Sequence, residues 1–363
     1  MAGFAFGGDF ASAADRFPYT FKLFKAQSAA KNQQGGLSYL VSDRAKSVKN
    51  PDFEFTPGGL VSLKSSDKAL MAVLMLTGET VAVDNFGAYH KTFIALRGDA
   101  LIFDYKSQTI VRSCPVVTVL FDAQPQRPSD EHIEGFVNNM IRRDDEKGLV
   151  SQFAQCLERS RQPRDSGHTV QVRRAEAAPE AIAMLPQSLR KSPAAIEALI
   201  ADLFSSALSS KLGISMLPSS IGHAIGGVMT MRLENGDDYK IKLNEGDYVF
   251  DLRLNKFAKI KVSENNVGTA YVFGTYFDIK FLEPTLNTVY LDSSLKNGET
   301  AVLPAGLVTG DDFAAYQDAM RGLALKFSDS LANPGSKWIS SAASAKNISS
   351  QLDSARDILG KCK

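Results

Sequence analysis

Two stretches decide how this chain is read. Phe281–Pro304 is FLEPTLNTVYLDSSLKNGETAVLP, and Phe93–Val116 is FIALRGDALIFDYKSQTIVRSCPV. Each runs from an apolar segment through an aspartate and a short polar turn to a second apolar segment, the pattern of a β-hairpin. Aligned this way, Asp104 and Asp292 close the first strands, and Gly298 falls in the second turn. An amphipathic helix follows both: Ile133, Phe136, Val137, Met140 and Ile141 form one stripe, and Phe313, Tyr316, Met320, Leu323, Ala324 and Phe327 the other. Apolar–Asp–turn–apolar strings recur in many β proteins. The helix after each copy is what points to one unit used twice.

A chain of 363 residues is long for a single core. The expected fold class is α+β, with two tandem modules, each a mixed or antiparallel sheet covered by amphipathic helices, and a C-terminal helix. The expected boundaries are an N-terminal module at 1–160, a linker at 161–180, a second module at 181–332 and the terminal amphipathic helix at 333–363. The linker is placed where the chain is basic, polar and broken by Pro163, Gly167 and Pro179, although HTVQVR can hold a strand. FPYTFKLF (17–24), AIAMLP (181–186) and ISMLP (214–218) read as short strands, and Ile196 to Leu208 as a helix ending near Gly213. Gly274 in an apolar strand marks a bulge or a close backbone approach. Trp338, Ile348, Leu352 and Leu359 belong to a thin seam that packs on its own domain or on a partner.

Composition excludes more than it assigns. Lys+Arg (41) nearly cancels Asp+Glu (40), so nothing draws the chain in bulk to nucleic acid. No apolar run approaches the roughly 20 residues that span a bilayer. The N-terminus lacks a basic region, and Asp9 interrupts its apolar run, so it reads as no intact signal peptide. Cys114, Cys156 and Cys362 form no CxxC and read as small buried apolar residues. His90, His132, His168 and His223 stand apart without a metal-binding spacing, and no cofactor is expected. Ser65-Ser66-Asp67-Lys68 satisfies SxxK but lacks its SDN and KTG companions. The acidic groups Asp144/Asp145/Glu146, Asp237/Asp238 and Glu245/Asp247 suit turns better than calcium loops.

Residues 181–330 resemble a domain shared by FlgO-like outer-membrane lipoproteins, the amino-terminal domain of TolB and the curli-secretion lipoproteins. The resemblance rests on Ile182-Ala183-Met184-Leu185-Pro186, on the helix IEALIADLFSSALSSKLG (196–213), on ISMLP, on Thr269–Tyr276 (TAYVFGTY) and on the Val289–Val302 hairpin. The chain departs from that type in a larger β-rich insert at 228–266 and in having no N-terminal lipobox cysteine. The resemblance implies a non-catalytic envelope protein, periplasmic or outer-membrane-associated, with a cytoplasmic location as the alternative. It would act as a scaffold or accessory factor in assembling a surface or secretion apparatus. Protein partners are implied, with oligomerisation or peripheral membrane association open. The rival readings are a soluble protein with a ligand pocket between the modules, and a hydrolase.

Overall fold

The computed structural model of the chain describes residues 2–29, 36–55, 70–104, 106–162, 167–219, 224–225, 228–233, 238–243, 245–266, 268–304 and 312–363. Strand β1 (Ala2–Gly7) is buried along its whole length. It leads through α1 (Ala13–Arg16), α2 (Pro18–Ala29) and α3 (Leu37–Lys46) to the long strands β2 (Leu70–Asn85), β3 (His90–Asp104) and β4 (Thr109–Gln124). Helices α4 (Asp130–Arg142) and α5 (Leu149–Arg159) follow. The second half opens with β5 (Val170–Ala177), α6 (Pro179–Ala183), α7 (Gln187–Arg190) and α8 (Pro193–Leu212). Four short strands come next: β6 (Met216–Leu217), β7 (Ala224–Ile225), β8 (Val228–Leu233) and β9 (Asp238–Lys242). The long β10 (Tyr248–Asn265), β11 (Gly268–Glu283) and β12 (Thr288–Pro304) precede α9 (Phe313–Ala332), α10 (Trp338–Ala342) and α11 (Ile348–Gly360).

The fold is α+β, with two mixed sheets. Sheet A has the order β4-β3-β2-β1-β8-β7, with β9 on β8, and sheet B the order β12-β11-β10-β5-β6. Both share one plan. A first strand (β1 or β5) pairs in parallel with the next long strand (β2 or β10), and two antiparallel neighbours follow. Parallel neighbours need a crossover connection, and helices supply it in both halves.

The hairpin alignment itself needs correcting. Asp104 does end β3, where it accepts the N–H groups of Lys106 and Ser107. Asp292 lies inside β12, opposite Lys280, and Gly298 lies in the same strand opposite Gly274. The turn falls instead at 284–287, where Pro284 lacks an N–H and Asn287 takes a left-handed φ of 52°. In SSLKNG, Leu295 and Asn297 continue the alternate burial begun by Leu291 and Ser293, and that period of two keeps the segment extended despite its turn-forming residues. Gly274 is neither a bulge nor a close approach: its register on both neighbouring strands is unshifted, and an added Cβ would meet Ala258 and Tyr276 at an ordinary 3.6 Å.

Other expectations give way to burial patterns. The linker at 161–180 contains β5, an inner strand of sheet B. FPYTFKLF is helical, because Phe17 and Phe21, four residues apart, both pack on Phe6 of β1, with ring centroids 5.1 and 5.7 Å away. AIAMLP begins within α6, which Pro179 opens. Ser129 caps α4 by accepting from His132 N–H, and Gly213 ends α8 as expected, at a φ of 67°.

One face of sheet A packs on α2 to α5, through Phe4, Leu74, Leu96, Ile102, Val137 and Phe153 among others. Its other face meets the second half in two places. Phe93 and Ala95 join the core of α8, α9 and sheet B, and Phe93 and Phe121 both pack on Phe313 at 5.2 and 5.9 Å. Further along, β8 pairs with β1, and the sheet curls until Tyr239 of β9 lies 5.8 Å from Phe103 of β3. The insert of the second half therefore completes the sheet of the first. The layers run helices, sheet A, helices α8 and α9, sheet B. No helix among the described residues is long and apolar enough to cross a membrane.

Candidate functional site

Where the halves meet, the outer edge of β4 forms the floor of a cleft of about 490 Å3. Its walls come from three helices, each presenting a stripe at helical spacing: Gln152, Cys156 and Arg159 of α5, Leu203, Ala207 and Ser210 of α8, and Gln317, Arg321 and Leu325 of α9. Arg159 donates to Ser210 Oγ at 3.1 Å, which ties the α5 wall to the α8 wall. Cys114 of β4 and Cys156 of α5 form a disulfide that lines the cleft. Their expected role as unpaired apolar residues is thereby corrected. Cys362 is the free cysteine, and burial pushes its thiol up to about 12.

The β4 edge is closed to strand pairing along much of the cleft. Val117 N–H donates to Gln152 Oε1 at 3.1 Å, and Gln152 Nε2 donates to Val117 C=O at 3.0 Å. Ser215 Oγ accepts from Ser113 N–H at 2.9 Å and donates to Ser113 C=O at 3.3 Å. Pro115, between them, has no N–H to offer. Arg112 is committed to backbone carbonyls, donating to Arg161 at 2.6 Å and Gln162 at 3.3 Å.

One strand inward, a charged group is sealed between the layers. Arg97 of β3 donates to Asp202 of α8 at 3.0 Å, and Asp99 is buried nearby. Burial first, then the neighbouring Asp202, raises the Asp99 pKa well above the usual carboxylate range, with Arg97 opposing. Burial likewise raises Asp202, against the pull of Arg97. One guanidinium facing two buried carboxylates favours a proton on Asp99.

The residues singled out in the sequence are not gathered here. Ile348, Leu352 and Leu359 are buried in the core of the second half, and Trp338 packs against it half-buried, so the terminal seam lies on its own chain and offers no free docking stripe. The tail covers the β12 edge, where Ala343 bridges Leu295 and Gln351 accepts from Asp292 N–H. Asp104, Asp292, Gly274 and Gly298 occupy strand positions away from the cleft. His90 is not among the lining residues, while His223, Asp237 and the SxxK serine and lysine lie outside the described residues. Most of the described acidic residues of these groups hold arginines: Arg44 meets Asp144, Arg143 meets Asp145, Arg232 meets Asp238, and Arg173 meets Glu245. Among the described residues, no group of three or more His, Cys, Asp and Glu is placed to hold a metal. The sequence reading offered a pocket between the modules as a rival but assigned none of the cleft's lining residues to it. The cleft's signals were the serine-rich stretch of α8 and the Gln317–Arg321 step beside the apolar stripe of α9.

No family model matches the chain, and no curated protein matches it. Among solved structures it is similar to a candidate lipoprotein from Caulobacter crescentus CB15, at 16% identity over 45% of this chain and 85% of that one, with a TM-score of 0.23. It is also similar to a candidate neuraminyllactose-binding hemagglutinin homologue from Helicobacter pylori, at 14% identity over 48% and 88%, TM-score 0.29. A Xanthomonas campestris protein of family DUF330 matches at 11% identity over 54% and 92%, TM-score 0.24.

Proposed function

We propose that this chain is a non-catalytic module of the bacterial cell envelope, akin to the FlgO-like, TolB amino-terminal and curli-secretion lipoprotein domains, that acts as a scaffold or accessory factor in assembling a surface or secretion apparatus. The observation that carries this reading is the bare outer face at the far end of β10–β12. There Ile260 pairs with Val272, and Ala270 with Val302, while the residues on the opposite face, Phe257 and Phe273, pack on Tyr316. Ile260 is 55% exposed, Val302 60%, and Val262, at the adjoining bulge, 61%. Exposed apolar side chains gathered on one sheet face suit contact with another protein. The exposed Lys256 and Lys296, which flank Tyr276 further back along the same strands, would favour a partner with acidic side chains at its rim. The Cys114–Cys156 disulfide supports a periplasmic or outer-membrane-associated location, because such bonds persist in oxidising compartments.

Site-specific photocrosslinking in the native cells tests the reading. A photoreactive residue at Ile260 or Val302 is expected to trap one discrete protein in the envelope fraction, and one at exposed Glu158 on the far half is not. Equal adduct patterns from all three positions, or recovery of the chain in the cytoplasmic fraction, would count against it.

A further inference from the structure

We propose that the cleft between β4, α5, α8 and α9 binds an amphiphilic organic anion, a single-chain molecule with an apolar body and a carboxylate or phosphate head. The volume, about 490 Å3, lies in the range of small-molecule sites. The lining divides by chemistry. Val117, Val119, Phe121, Leu203 and Leu325 supply an apolar strip. Lys147, Arg159 and Arg321 stand at the exposed rim, against Glu146 and Asp318. Positive charge thus outnumbers negative at the rim before the structurally committed Arg112 and Arg161 are added.

A second observation is independent of that charge. Gln317 lines the same cleft, is 1% exposed, and its buried Nε2 has no hydrogen-bond acceptor. A buried amide donor without an acceptor is costly, and such groups normally find a partner. Gln317 and Arg321 lie one turn apart on α9, so a single anionic head group can accept from both. An extended peptide fits poorly, since the β4 edge is plugged by Gln152 and Ser215. A short apolar chain needs no backbone partners and can lie along the valine and leucine strip.

Isothermal calorimetry on the full oxidised chain tests this with dodecanoate, dodecyl phosphate and dodecylammonium, each below its micellar concentration. The two anions are expected to saturate at one per chain, and the stronger of them identifies the head group as carboxylate or phosphate. Dodecylammonium is expected to bind at least about tenfold more weakly, as is dodecanoate to Arg321→Glu, the loss expected for one charge-assisted contact. Arg321→Lys should keep most of the affinity, and Gln317→Leu should lower it several-fold. Ile260→Asp, on the outer sheet face, should leave it unchanged. No saturable binding of either anion, equal affinity for the cation, or indifference to both Arg321→Glu and Gln317→Leu overturns the proposal.

Discussion

Replacing both Cys114 and Cys156 with alanine removes a covalent tie between the β4 edge and α5. The bond closes a loop with a sequence separation of 42. Chain entropy over such a loop gives a stabilisation of about 4 kcal/mol at 25 °C, and measured values for native disulfides centre on roughly 2–4 kcal/mol. At about 2.1 cal/mol/K per residue, unfolding 363 residues together carries an entropy near ~0.8 kcal/mol/K, so Tm should fall by about 5 °C. Differential scanning calorimetry with and without dithiothreitol measures this. The wild type should lose the full shift on reduction, and the Cys114→Ala/Cys156→Ala variant should be indifferent to reductant. Thiol titration of the unreduced, denatured wild type should count one free cysteine, Cys362. Three free thiols in protein from an oxidising compartment, or a wild-type Tm unmoved by reductant, would refute the reasoning.

Asp99→Asn should flatten the pH dependence of stability. Its folded pKa lies above the ordinary 3.8, so the folded state keeps a proton that the unfolded chain releases; stability is full below about pH 4 and falls by about 1.4 kcal/mol per pH unit until the folded pKa is passed. Urea midpoints from pH 4 to 8 should therefore fall more in wild type than in the variant, and parallel curves would contradict this. Asp202→Ala removes the carboxylate hydrogen-bonded to Arg97 and leaves Asp99 as its counter-charge, so it should cost about 1–3 kcal/mol, read from the same titrations; a loss under about 0.5 kcal/mol would mean the pair is not sealed. Gly274→Ala should be tolerated, whereas Gly98→Ala places a Cβ 2.6 Å from Met75 O and should lower Tm by several degrees; equal effects would discredit the strand register.

The helices were legible wherever one stripe is apolar and the opposite face polar, as in α4, where Ile133, Val137, Met140 and Ile141 are buried as the spacing implies. Reading failed where tertiary burial overrode local chemistry. Ala2–Gly7 carries no strong strand propensity, yet it is an inner strand because both its faces and both its edges are covered. SSLKNG reads as a turn, but Leu291, Ser293, Leu295 and Asn297 all face the core. The disulfide was hidden for a different reason: cysteines 42 positions apart carry no spacing signal, and only the packing of α5 on β4 brings their Cα atoms to 6.1 Å. The lining of the cleft was hidden likewise, since it is drawn from elements far apart in sequence.

The cleft and the buried charges have a common origin in α8, which serves both sheets. Phe204 packs on Phe277 of sheet B at 5.2 Å, while Asp202, two positions back and about 200° around the helix, reaches Arg97 of sheet A. A helix used on opposite sides has no solvent face to make it amphipathic, which explains why Ala198, Ser205 and Ser209 are buried alongside its large apolar residues. Small side chains there let sheet A approach closely. A buried ion pair adds little to such an interface, but it penalises any other register, because a shift leaves Asp202 buried without its guanidinium. The fixed register holds Ser206 and Ser210 of α8 at the β4 edge and keeps the cleft open between the layers. A substitution that let the layers slide, such as Arg97→Met with Asp202→Leu, should therefore keep the fold while abolishing anion binding. Unchanged affinity in that pair would show that the cleft does not depend on the register.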